Sequence, residues 1–295
     1  MKGSDIAQLL LLSALWGGSF LFMRIAAPVL GPVWLIEFRV LLAGLVLLPV
    51  LIHFNLWQVL RRNWAVLFVV GCINSAIPFL LLAFASVSLP AGFTSILNAT
   101  APLFGTVVAF VWLKERLTIA RTLGFALGFT GVVVLIGWKG ISANTEFVMA
   151  ALAGLLAACT YAIAAPYIKQ KLVAVPPLAV TAGSQLGAAV LLLPALPFTV
   201  PQQPVTQDIV IAVLGLAVLS TAFAYILYFR LIQNVGATKA LTVTYLIPLF
   251  AMLWGALFLG EPVTAAMMLG CGLVLLGTAI ANGVFVRSTE DGTHY

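Results

Sequence analysis

Three charged side chains stand inside otherwise apolar runs: Arg24, Glu37 and Arg39. An ionisable group in such a place is a functional candidate by default, as a binding, gating or proton-carrying charge. Arg24 and Glu37 are equidistant from a turn near residues 30–31, so the spacing predicts a hairpin that pairs them structurally. Arg39 lies two residues from Glu37 and therefore on a different helix face. It is left either to attract a carboxylate near the outer end of a pore or to snorkel to the interface.

Uncharged candidates follow the same helices. Trp16 and Tyr161 occupy positions 145 residues apart, each before a small-residue stretch, and Trp254 is a further mid-segment aromatic. Such rings can stack on an apolar solute or meet an ammonium group through cation–π attraction; plain core packing is the structural alternative. Asn74, Ser75, Pro78 and Phe79 align with Ser220, Thr221, Ala224 and Tyr225, a matched set of small polar and aromatic groups. Small polar residues also serve as packing contacts between helices. Pro102 and Pro248 each sit mid-segment, where proline removes a donor and displaces the carbonyl four residues earlier. Those carbonyls belong to Asn98 and Thr244, so Pro78, Pro102 and Pro248 are predicted kinks. The polar side chains then either face a solute or repair the helix locally.

Composition decides which elements must position these groups. Apolar residues make up 63% of the 295-residue chain and charged residues 7%, with a mean hydropathy of +1.18. A soluble domain carries roughly 25% charge, so the chain is an integral membrane protein whose partner is the lipid bilayer. Segments long enough to cross ~30 Å of hydrocarbon fall near 6–27, 33–52, 64–86, 90–113, 118–137, 147–168, 177–197, 209–232, 236–259 and 264–285. Cys72, Cys159 and Cys271 lie in apolar runs and read as packing residues. His53 and His294 supply no metal cluster, and no cofactor is expected. The first apolar run reads as an uncleaved helix rather than a signal peptide.

The chain repeats itself. Residues 90–137 overlie 236–283 at an offset of 146 without a gap, and PLFGTVVAFVWLKE at 102–115 answers PLFAMLWGALFLGE at 248–261. Five helices per copy means that the second copy enters the membrane from the opposite side, an arrangement common in secondary transporters. Boundaries are expected at 1–140, 141–286 and a cytoplasmic tail at 287–295. With a cytoplasmic N-terminus, eleven Lys and Arg fall on the inner side and only Lys139 on the outer, Arg24 and Arg39 being uncounted. The positive-inside rule then puts both termini in the cytoplasm, and the net charge of +6 needs no nucleic acid to explain it. Glu115 and Glu261 are expected to cap the helices after them, or to act as gate latches. Trp57, Trp64 and Trp138 read as interfacial belt residues, and Gly124 with Gly128 as close helix packing.

LWGGSFLFMR (15–24), EFRVLLAGLVLLP (37–49), the duplicated Pro-Leu-Phe…Glu blocks and GFALGFTGVVVLIG (124–137) together carry a resemblance. The chain resembles ten-helix EamA-type exporters of the drug/metabolite transporter superfamily, and among them bacterial exporters of aromatic and other neutral amino acids. The resemblance implies an all-α membrane fold of two inverted five-helix repeats around a central cavity. It also implies ATP-independent export of small metabolites across the bacterial inner membrane. A multidrug pump or a nucleoside or lipid transporter on the same fold is the alternative, though no carboxylate stands in the middle of a segment. An intramembrane enzyme would need a catalytic constellation, and no segment interior contains Asp or His.

Overall fold

Gly31 interrupts what would otherwise be one helix from residue 3 to residue 53. Its φ of 74° and ψ of 157° belong to a region that essentially only glycine reaches. The computed structural model describes residues 1–137 and 144–283; Trp138, Lys139 and the tail at 287–295 lie outside them. On either side of Gly31 run α1 (3–30) and α2 (32–53). A short helix, Trp57–Arg62, leads into α3 (Trp64–Ser88), α4 (Ala91–Val111) and α5 (Ile119–Gly137). The second set is α6 (Thr145–Lys171), α7 (Pro177–Phe198), α8 (Gln207–Val235), α9 (Val243–Leu259) and α10 (Ala265–Ala281). Among the described residues there are thus ten membrane helices and no strand.

Large apolar side chains cover the outside of the bundle: Ile119, Val133, Leu257 and Phe258 are all more than half exposed. In water such a surface would aggregate; in hydrocarbon it is the expected exterior. The polar hydroxyls inside mostly return to their own helices, as when Ser13 donates to the Leu9 carbonyl and Ser86 to Leu82, both at 2.8 Å.

The inverted relation of the two halves is visible where α5 meets α10. A Cβ built on Gly124 would lie 2.6 Å from both the Gly277 carbonyl oxygen and the Ala281 nitrogen. One on Gly270 would meet the Gly131 oxygen and the Leu135 Cβ, each at 3.0 Å. Adding 146 turns 124 into 270, 131 into 277 and 135 into 281, so each contact is the other's image. The expected Gly124 and Gly128 packing is present: a Cβ on Gly277 would collide with the Gly128 nitrogen.

Both halves also carry a widened turn of π-helix, at Cys72–Ala76 in α3 and Gly215–Phe223 in α8. Offset by 146, residues 72–76 become 218–222, inside the second turn. Pro78 follows the first, so the π-turn absorbs the displaced Asn74 carbonyl. The second half has Ala224 there and keeps the π-turn without proline. Such bulges concentrate at functional sites.

The proline kinks are unequal. Helix α4 breaks at residues 99–100, just before Pro102, whereas Pro248 is buried within the unbroken helix Val243–Leu259 and the bend lies at 241–242. The glutamates do not cap the helices that follow them. Thr264 caps α10 by accepting from the Met267 amide at 3.2 Å, and Thr118 accepts from Arg121 at the same distance. A hydroxyl one residue before the helix reaches these amides with less strain than a glutamate three residues earlier.

Candidate functional site

Arg39 enters the bundle from the side of α2 that faces the other half. It lies seven residues beyond Pro32, the first residue of α2, which is about 10 Å along the axis by helical rise. The side chain is 5% exposed, so snorkelling is not what it does. Its Nε donates to Thr221 Oγ1 at 3.1 Å, and Nη1 makes a long contact with Met23 Sδ at 3.9 Å. The guanidinium carbon sits 3.5 Å from the centroid of the Phe79 ring. Cation–π attraction at a desolvated site is worth about 2 kcal/mol, which offsets part of the cost of holding this charge away from water.

Each neighbour is placed by a feature already described. Phe79 follows the π-turn of α3, and Thr221 lies within the π-turn of α8, donating to the Leu216 carbonyl five residues back at 2.8 Å. Tyr161 on α6 meets Phe79 edge to face at 6.4 Å. Tyr225 lies four residues after Thr221 on α8 and so on the same helix face. Trp16 on α1 packs against Tyr225 at 6.0 Å and Tyr228 at 5.1 Å between ring centroids. Trp16, Tyr161 and Tyr225 remain half-buried rather than closed off. Five helices, from both repeats, thus converge on one guanidinium and a set of aromatic rings.

The second repeat offers the same contact without the charge. Gln185 Nε2 on α7 donates to Ser75 Oγ on α3 at 3.2 Å, where Ser75 is the image of Thr221. Gln185 therefore takes the place of Arg39 in the structure, while Ser184, which aligns with Arg39 at an offset of 145, donates only to its own helix, to Thr181 at 3.0 Å. The site is therefore asymmetric, with its cation on one wall.

Other candidates have no hydrogen bond to Arg39 among the described residues. Ser220 donates to the Leu15 carbonyl at 2.7 Å and Trp254 Nε1 to the Ala14 carbonyl at 3.0 Å, so both fasten α1. Thr244 donates to the Leu241 carbonyl at 2.8 Å, repairing the bend locally. Asn98 Oδ1 is buried without a donor among the described residues, and Asn74 is half-buried. Pro102 lines a crevice of about 450 Å³ with Thr106, Glu115 and Arg121, away from Arg39.

The expected pair of Arg24 with Glu37 does not form. Arg24 Nε instead meets Glu261 Oε1 at 3.3 Å, while its Nη1 donates to the carbonyls of Ser86 at 3.0 Å and Val87 at 2.6 Å. The turn at Gly31 does fold α2 back onto α1, since Arg39 reaches Met23 across it, but Arg24 is taken up by Glu261 and the end of α3. Glu37 is 2% exposed, and neither carboxylate oxygen has a donor among the described residues. Thr221 was legible only as half of a polar pair, and Met23, Tyr228 and Gln185 carried no signal beyond apolar or helical spacing. Among the described residues no three His, Cys, Asp or Glu side chains gather to hold a metal.

Known proteins share this architecture. A solved crystal structure superposes with a TM-score of 0.67 at 19% identity, covering 97% of this chain and all of the other. An uncharacterized transporter of Archaeoglobus fulgidus is 24% identical over 265 residues, 90% of this chain and 94% of its own. A probable terminal-alkyne amino-acid exporter of Streptantibioticus cattleyicolor is 26% identical over 286 residues, 96% and 95% of the two chains. The model of the EamA-like transporter family matches twice, at residues 5–137 and 148–283. With both halves matched and ten helices in inverted repeat, the chain belongs to the EamA-like transporter family.

Proposed function

We propose that this transporter exports small metabolites from the cytoplasm, with aromatic and other neutral amino acids as its favoured solutes, by alternating access in the bacterial inner membrane. The observation that carries this reading is the meeting of Arg39, Phe79, Tyr161, Tyr225 and Trp16 between the two repeats. Rings can hold an apolar side chain, and the guanidinium can hold a carboxylate. The likeness to an amino-acid exporter at 26% identity supports the same class.

The excess of Lys and Arg at one end of the bundle supports cytoplasmic termini. On that orientation Arg24 and Glu261 latch the outer end, and solute enters from within. Rocking of one repeat against the other would release the latch and open the outer end.

Uptake into proteoliposomes, with labelled amino acids, nucleosides and lipophilic cations, tests the reading. Saturable uptake of aromatic amino acids is expected, with a loss of at least ~10-fold in Tyr161→Ala. Uptake confined to lipophilic cations would replace this reading with that of a drug pump.

A further inference from the structure

Resting on the exporter reading, we infer that the site recognises an aromatic or apolar monocarboxylate through Arg39 and leaves any amino group unread. The ligand class is then wider than amino acids. It takes in their deaminated and 2-oxo analogues and excludes the corresponding amines.

Arg39 has hydrogen-bonding capacity to spare. A guanidinium has five N–H donors, and here one reaches Thr221 and one makes a long contact with sulfur. One face is covered by Phe79. What remains is the planar edge of the terminal nitrogens, the fork that binds a carboxylate through two parallel hydrogen bonds.

Among the described residues no acid fills that fork. Glu261 is held by Arg24 and the Ala91 amide, and Glu115 by Arg121. Asp5 accepts from the Lys2 amide and from Asn234, and Asp208 from Thr206. Glu146 lies in the first turn of α6, at the end of the bundle. Glu37 is two residues away on the same helix, about 200° around its axis. A buried charge with no partner is expensive to maintain unless a ligand completes it.

An ammonium group on the solute would find rings and hydroxyls around Arg39 but no carboxylate among the described residues. Its own charge would also be repelled by the guanidinium. The ring and the carboxylate are therefore the recognised parts.

Four compounds sharing one phenylethyl body separate the possibilities: 3-phenylpropanoate, phenylalanine, 3-phenylpropanamide and phenethylammonium. Saturable thermal stabilisation of the purified full-length chain reads binding, and counterflow in proteoliposomes reads transport. Both carboxylates are expected to bind at least ~10-fold more tightly than the amide or the amine, as for a lost charged hydrogen-bonded pair. Arg39→Gln should lose that preference and Arg39→Lys should keep part of it. Equal binding of amide and acid by wild type overturns the inference, as does unchanged carboxylate binding in Arg39→Gln. Should Arg39→Gln fail to fold, the wild-type comparison of acid with amide still decides. Carboxylate binding without counterflow would remove the exporter reading and leave the inference standing. Counterflow of other solutes with no carboxylate binding would do the reverse.

Discussion

Arg24 and Glu261, 237 residues apart in the chain, meet at 3.3 Å and between them fasten four elements at one end of the bundle. The arginine, on α1, also holds the last carbonyls of α3 at Ser86 and Val87. The glutamate, in the turn between α9 and α10, accepts from the Ala91 amide at the start of α4 at 2.9 Å. A cation is favourable at a helix C-terminus and an anion at an N-terminus, so the pair closes this end on both counts.

Neutralising the latch should loosen that end. The side chains are 30% and 14% exposed, so Arg24→Gln or Glu261→Gln should weaken closure by roughly 1 kcal/mol, about a five-fold change in population. Labelling of Ser86→Cys, a position that is fully buried while the pair is formed, by a thiol reagent should quicken accordingly. Unchanged labelling would mean that the pair holds nothing shut.

The repeat supplies a counterpart at the opposite end. Lys169 and Glu115 occupy the positions of Arg24 and Glu261, yet Glu115 here pairs with Arg121 at 2.7 Å. In the alternate state the two are expected to meet. Cross-linking of the double variant Lys169→Cys with Glu115→Cys should therefore be weak in this state and increase when Glu261→Gln is added. A yield indifferent to Glu261→Gln would break the proposed exchange.

The α5–α10 seam tolerates no side chain at its closest point. Gly277→Ala would drive a methyl into the Gly128 amide and to 2.5 Å from the Gly124 oxygen, and overpacking of this kind costs about 1–3 kcal/mol. Gly272→Ala on the same helix meets nothing within 4 Å and should be neutral. Melting temperatures of the two variants in one detergent give the comparison; equal values would refute the packing account.

Phe79→Leu removes the ring beneath Arg39 while keeping an apolar side chain. The loss should be about 2 kcal/mol, read as a lower melting temperature and a weaker affinity for aromatic carboxylates. Phe93→Leu, whose ring meets Phe147 at 5.5 Å rather than a cation, should lower stability without changing that affinity.

Membrane class, ten spans, duplication and the glycine seam were all present in the amino-acid order. Apolar length, charge scarcity and an offset of 146 are one-dimensional properties, and glycines recurring along one face of a helix leave that face free for close packing. Trp16, Phe79, Tyr161 and Tyr225 were singled out from spacing as candidates, and the structure pairs their rings, Trp16 with Tyr225 and Phe79 with Tyr161.

Partner choice was decided by the tertiary structure alone. Arg24 takes Glu261 rather than Glu37 because the α9–α10 turn and the end of α3 lie beside it, even though Gly31 folds α2 back far enough for Arg39 to touch Met23. Arg39 turns inward rather than to the interface because Phe79 and Thr221, set by two π-turns on different repeats, offer it a ring and an oxygen at the same depth. A linear sequence records that a charge sits in an apolar helix; which surface lies opposite it depends on how ten helices close around one another.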